Sequence, residues 1–275
     1  MMLSRRAALL GATLTTACSP LRVLDATVPQ GDLRRRTAAY GPGSRQQLDI
    51  YEPAAARGPL VVFFYGGGWR SGARADYRFV AEAFCAQGAR VIIPDYRLFP
   101  EVGFPGFVED GAAALAWAQR QDAGPVFVAG HSAGAHIALM LALNPAYLAA
   151  AGGDRGRLAG AIGLSGPYDF DPAAYRRTRA IFSGASDQRQ TQPITFVDAG
   201  APPLLLATGT DDTTVEPRNT LSLAARVAEA GGQAQTRLYP GVGHVGTILA
   251  MMPLFRGTAP VVADVTAFIG AGRPA

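Results

Sequence analysis

Four stretches of this chain carry residue types that together could attack a carbonyl carbon. Gly130-His131-Ser132-Ala133-Gly134 sets a serine between glycines, after the apolar run Val126-Phe127-Val128-Ala129 and before the helix-compatible run Ala135 to Leu143. In that strand-turn-helix setting the hydroxyl sits on a sharp, strained turn, where side chains at 130 or 134 would collide with neighbouring backbone. The helix start behind it offers free N–H groups and a positive dipole end to a developing oxyanion. A serine hydroxyl is a poor nucleophile near neutral pH and needs a base. The chain holds three histidines. His131 should point away from the hydroxyl and His136, one helical turn beyond, should be buried against the helix or bonded locally. His244 remains, in the glycine-rich stretch Tyr239-Pro240-Gly241-Val242-Gly243-His244, expected as a loop on the rim that carries the serine.

The base needs an acid to hold its tautomer and to stabilise the imidazolium it becomes. On folds with this nucleophile turn the acid lies between serine and histidine in the chain. Gly209-Thr210-Asp211-Asp212-Thr213-Thr214-Val215 offers two candidates there, Asp212 and Asp211. Negative charge on the substrate oxygen also needs donors. Three glycines in Phe63-Phe64-Tyr65-Gly66-Gly67-Gly68-Trp69 let bare amides approach a ligand closely. The amides of Gly67, Gly68 and Ala133 are the candidates, with Gly66 the alternative if the loop is displaced by one.

The elements that must position these groups are legible as alternating patterns. Strands are expected around Leu48 to Tyr51, Leu60 to Tyr65, Arg90 to Pro94, Pro125 to Ala129, Gly160 to Leu164, Pro203 to Thr208 and Gln235 to Tyr239. Helices are expected at roughly 74–87, 106–121, 133–143, 217–230 and 258–269. Such alternation predicts an α/β fold with a mostly parallel sheet covered by helices on both faces. Leu60-Val61-Val62-Phe63-Phe64 and Leu204-Leu205-Leu206 read as central strands buried on both sides. Chemistry on such sheets collects at the carboxyl ends of the strands.

Composition fits one main domain: 275 residues, 49% hydrophobic and 17% charged. The net charge of +4 comes without a basic run interleaved with aromatics, which argues against a nucleic-acid partner. Arg34-Arg35-Arg36 reads as a solvated segment just ahead of the fold. Three histidines and two cysteines without ligand spacing argue against a zinc site, and the chemistry above needs neither metal nor organic cofactor.

Residues 1 to 17 have signal-peptide architecture, with Arg5 and Arg6 ahead of an uncharged apolar stretch from Ala7 to Ala17. Ser4-Arg5-Arg6 resembles a twin-arginine export signal, and Leu14-Thr15-Thr16-Ala17-Cys18 resembles a bacterial lipobox in which Thr15 replaces an aliphatic residue. The expectation is an exported protein of the bacterial cell envelope, periplasmic or attached to the membrane through lipidated Cys18. Cys85 would then be the only other cysteine, leaving no intrachain disulfide.

The order of Tyr65-Gly66-Gly67-Gly68-Trp69, Asp95-Tyr96-Arg97-Leu98, the Ser132 pentapeptide, Ser165-Gly166-Pro167-Tyr168-Asp169, the Asp212 loop and Gly241-Val242-Gly243-His244 resembles α/β-hydrolase serine esterases. The similarity is to bacterial carboxylesterases near hormone-sensitive lipase, with kynurenine formamidase and prenylcysteine methylesterase as relatives, and it covers residues 40 to 269. It implies the α/β-hydrolase fold and ester cleavage through Ser132, Asp212 and His244. Gly209-x-x-Asp212-x-x-Val215 matches the acid loop of such hydrolases, which makes Asp212 the first choice and Asp211 the fallback. Tyr65 stands where that family usually carries a histidine supporting the loop, and Asp95-Tyr96-Arg97 is structural by the same resemblance.

Residues 170 to 198 are polar, interrupt the strand-helix rhythm and read as a short cap over the site, which would favour small or medium acyl groups. Trp69, Phe99 and Phe170 are candidates for the pocket wall or for ordinary packing. An amidase or formamidase would use the same groups, and a non-catalytic small-molecule receptor would lack the base.

Overall fold

The computed structural model describes residues 25, 28, 32–56 and 58–271; the expected signal segment and Cys18 lie outside the described residues. Among these, eight strands form one sheet in the order β1-β2-β4-β3-β5-β6-β7-β8. They are β1 Leu33–Ala39, β2 Gln47–Pro53, β3 Leu60–Phe64, β4 Arg90–Pro94, β5 Val126–His131, β6 Leu158–Leu164, β7 Leu204–Gly209 and β8 Ala234–Tyr239. β2 pairs antiparallel with β1 and with β4, and every other pairing is parallel. The helices are α1 Arg78–Cys85, α2 Gly106–Gln121, α3 Ala133–Leu143, α4 Pro145–Ala150, α5 Arg176–Arg179, α6 Arg218–Glu229, α7 His244–Leu249 and α8 Val261–Ala271.

Helices cover both faces of the sheet. The Phe127 ring on β5 meets Phe268 of α8, and Phe127 is in register with Val61. Phe64 lies an odd number of residues beyond Val61 and so faces the other way, toward Gly111 of α2. β3, β5 and β7 are buried along their whole length, as their unbroken apolar runs require. α3 is buried at every position, which explains why its sequence is apolar all round. It runs under the cap from the end of β5, the strand whose last turn carries Ser132.

The structure corrects several expectations. Arg34, Arg35 and Arg36 do not precede the fold: they form the middle of β1, solvated but paired in register with Glu52, Tyr51 and Ile50. Three arginines in a row mask the strand, because an edge strand needs no apolar face to hold its hydrogen bonds. The helix expected at 74–87 is a 3₁₀ turn at Arg74–Asp76 followed by α1, broken at Tyr77. His244 opens α7 rather than sitting in a loop, and α4 has no counterpart among the sequence expectations. The 170–198 segment contains α5 and the 3₁₀ turns Gln188–Thr191 and Pro193–Phe196. Cys85 is free and buried.

Candidate active site

Ser132 stands between β5 and α3 with φ 54° and ψ −123°, a conformation L-residues seldom adopt. The residues two places away on either side must be glycine. A Cβ on Gly130 would run into the carbonyl group of Gly134, and one on Gly134 into the carbonyl oxygen of Phe64. The strain is held by backbone on both sides, including the 2.9 Å bond from the Ser132 amide to the Leu164 carbonyl oxygen on β6.

The structure brings Ser132, His244 and Asp212 together. Ser132 Oγ lies 2.9 Å from His244 Nε2, and His244 Nδ1 lies 2.8 Å from Asp212 Oδ2. With Nδ1–H donating to the carboxylate, Nε2 is left as the acceptor for the serine proton. Asp212 is buried, and its second oxygen accepts the amides of Thr214 at 3.0 Å and Val215 at 2.8 Å. The Asp-x-x-Val spacing is therefore the reach of a carboxylate back to the amide three residues on. Burial pushes the Asp212 carboxyl up, but hydrogen bonds from His244, the Val215 amide and Ser165, with the attraction of His244, outweigh it and leave the group below its ordinary value. Asp211 stays at the surface and accepts the Thr210 hydroxyl at 2.9 Å.

Gly66, Gly67 and Gly68 pass directly in front of the serine; a Cβ on Gly66 would lie 3.1 Å from Ser132 Cβ. Gly67 and Gly68 both have positive φ, 132° and 59°, and a Cβ on Gly67 would strike the Ser71 carbonyl. Ala133, the first residue of α3, has an amide without an intrahelical acceptor.

A polar network fixes this loop. Tyr65 donates to Asp95 Oδ1 at 2.8 Å and accepts from Arg45 Nη2 at 2.8 Å, while Tyr96 donates to the Tyr65 carbonyl oxygen at 2.8 Å. Arg74 binds Asp95 through both backbone and guanidinium. Tyr65 thus supports the loop through its hydroxyl. Arg97 is held by Asp110, at 2.8 Å from its Nη2.

Sequence reasoning missed several contributors. Ser165, just after β6 with φ 49°, lies 2.9 Å from Thr247 Oγ1. Thr247 in turn reaches the His244 carbonyl oxygen at 2.9 Å. The available signals were the position of Ser165 at a strand's carboxyl end and its place in the Ser165-Gly166-Pro167-Tyr168-Asp169 stretch that carries the family resemblance. His131 Nε2 donates to that same carbonyl oxygen, and His136 Nε2 donates to the Thr191 carbonyl oxygen of the cap at 2.8 Å. Neither ring bonds Ser132.

Ser132 and His244 open on a cavity of ≈ 880 Å³, walled by the glycine loop, the 213–219 loop and the cap. Trp69 and Phe170 line it and stack with centroids 6.3 Å apart. Phe99 does not line it; its ring lies under the Arg70 guanidinium instead. No group of three or more His, Cys, Asp or Glu that could hold a metal ion occurs among the described residues.

Comparison with known proteins shows similarity to esterases. The chain is 27% identical over 245 residues to a probable isoprenylcysteine alpha-carbonyl methylesterase of Arabidopsis thaliana, covering 78% of this chain and 52% of that protein. It is 28% identical over 240 residues to esterase LipC of Mycobacterium tuberculosis, covering 77% of this chain and 60% of that one. The chain therefore spans about half to two thirds of the length of these relatives. Among solved structures, an inhibited esterase B of Lactobacillus rhamnosis superposes with a TM-score of 0.75 at 23% identity, over 91% of this chain and 90% of that chain, which identifies the fold as the α/β-hydrolase fold. A family model spans residues 48–227, from β2 through the Ser132 turn and the Asp212 loop into α6, and on that match the chain belongs to the BD-FAE family.

Proposed function

We propose that this protein is a serine carboxylesterase. The observation that carries the reading is the unbroken hydrogen-bond line from Asp212 Oδ2 through His244 to Ser132 Oγ, 2.8 and 2.9 Å, ending on the cavity wall beside the glycine loop. His244 Nε2 takes the serine proton as Oγ bonds to the ester carbonyl carbon. The amides of Gly67, Gly68 and Ala133 stabilise the resulting oxyanion. The imidazolium returns its proton to the alcohol oxygen as the C–O bond breaks, leaving an acyl group on Ser132. Water, deprotonated by the same nitrogen, then releases the acid, and the proton passes back to Oγ.

A fluorophosphonate probe tests this directly. Labelling should map to Ser132 and vanish in Ser132→Ala and His244→Ala; a chain that resists labelling while folded would be a receptor. Faster turnover of N-formylkynurenine than of short aryl esters would move the assignment to the formamidase class. The short cap favours small and medium acyl groups, a preference overturned by equal kcat/KM for p-nitrophenyl butyrate and palmitate. Export and attachment through Cys18 belong to the same proposal and rest on residues 1 to 18 alone. Retention of Cys18→Ser in the membrane fraction would remove the lipid anchor from it.

A further inference from the structure

The cavity wall carries more positive than negative charge. Arg70, Arg177, Arg218 and Glu216 line it, and Glu216 is taken by Arg218 at 2.8 Å. Arg70 and Arg177 are left without a carboxylate. The Arg70 guanidinium is pinned: Nε and Nη2 lie 3.4 and 3.2 Å from the Arg177 carbonyl oxygen, and its carbon sits 4.3 Å from the centre of the Phe99 ring. Its amide is bonded at 3.1 Å to the Gly67 carbonyl oxygen, so its backbone is part of the turn that presents the glycine amides. The Arg177 side chain, on α5 of the cap, has no hydrogen-bond or ion-pair partner among the described residues. Many other arginines of this chain are neutralised, as in Arg97 with Asp110, Arg155 with Asp198 and Arg237 with Asp264. Two unneutralised guanidiniums, one from the catalytic loop and one from the cap, converge on the same cavity as Ser132.

Resting on the esterase reading, we propose that Arg70 and Arg177 form an anion subsite and that the substrate is an ester bearing a carboxylate remote from the bond that is cleaved. Guanidinium forks match carboxylate geometry, and the immobilised Arg70 gives up little side-chain freedom on binding. Phe99 beneath Arg70 leaves the outward edge of the fork available to the ligand. The remaining wall, with Trp69 and Phe170, is aromatic and suits the linker between the two ends of such a molecule.

The probes are mono-p-nitrophenyl adipate and suberate, each compared with its neutral amide of the same length. The wild-type protein should prefer the charged member of each pair in kcat/KM, mainly through KM, by about tenfold, a scale fitting two exposed charge contacts. Raising salt to about 0.5 M should shrink that preference by screening. In Arg70→Gln/Arg177→Gln the ratio should fall toward unity, in each single variant it should be intermediate, and in Arg70→Lys/Arg177→Lys it should largely survive. A wild-type ratio of one or less, or a ratio that persists in the glutamine double variant, overturns the subsite. Calorimetric binding of the same pairs to Ser132→Ala separates the two readings. Tighter binding of the charged member without turnover in the wild type would sustain the subsite and defeat ester cleavage. Turnover of both members with equal binding would do the reverse.

Discussion

His131 donates its Nε2 proton to the carbonyl oxygen of His244 across 3.1 Å, so the residue before the nucleophile holds the backbone of the base. Its Nδ1 is buried without a partner. Burial first, then the nearness of His244, pulls the His131 pKa down to about 3, which keeps the ring neutral and fixes the Nε2–H tautomer. His131→Ala should lower kcat by about tenfold, because the base loses its tether. An unchanged kcat in steady-state assays would refute the positioning role.

The two aspartates of the acid loop should separate cleanly. Asp212→Asn would leave the imidazole in the wrong tautomer and should cost about 10⁴-fold in kcat. Asp211→Asn touches only the Thr210 hydroxyl and should stay within about threefold of wild type, the scale of a lost exposed hydrogen bond. Parallel kinetics on the two variants check the assignment.

Gly67→Ala should reduce kcat by about 100-fold or more, the cost of displacing one oxyanion donor. The added methyl must move the Ser71 carbonyl, and the backbone at φ 132° is one that alanine avoids. Slow labelling by the fluorophosphonate alongside a preserved circular dichroism spectrum would confirm a local effect.

Tyr65→Phe removes the donor to Asp95 and the acceptor for Arg45 at a fully buried site. Unfolding free energy should drop by about 1–3 kcal/mol, the penalty for stranding buried polar groups. Urea denaturation measures this, and a change inside experimental error would mean the network does not stabilise the loop.

Acid should destabilise the fold through His136. Burial lowers its pKa to about 4, against a small rise from the hydrogen bond with the Thr191 carbonyl. The unfolded chain therefore binds a proton that the folded chain refuses. Stability from this group is complete above about pH 6.5, falls as pH drops, and is gone near pH 4, a loss of roughly 3 kcal/mol. His136→Asn should flatten the pH dependence of unfolding free energy across that window, whatever its cost at neutral pH.

The sequence was readable where local pattern and tertiary role coincide. β3, β5 and β7 are apolar because both faces are covered, and the glycines around Ser132 mark close approaches that local crowding demands. Ser132 stood out by its glycine turn and His244 because the chain holds only three histidines, whereas Asp212 was separated from its neighbour Asp211 by the resemblance of its loop to that of related hydrolases. The supporting groups could not. Ser165 and Thr247 are 82 residues apart, and Tyr65 meets Arg45 and Asp95 across 20 and 30 residues, so only the folded chain brings them together. β1 escaped notice because its residues face water and its strand state comes from pairing with β2, not from side-chain burial.

Among the described residues, that strand ends the sheet on one side. Arg34, Arg35 and Arg36 follow one another along it, all exposed, with Arg35 tied to Asp49 at 2.8 Å. A second copy approaching to zip onto this border would bring like charges face to face at consecutive rungs. Like charges along the edge would oppose such pairing, and charge-neutral replacements there should reveal themselves first as turbidity on concentration, with catalysis untouched.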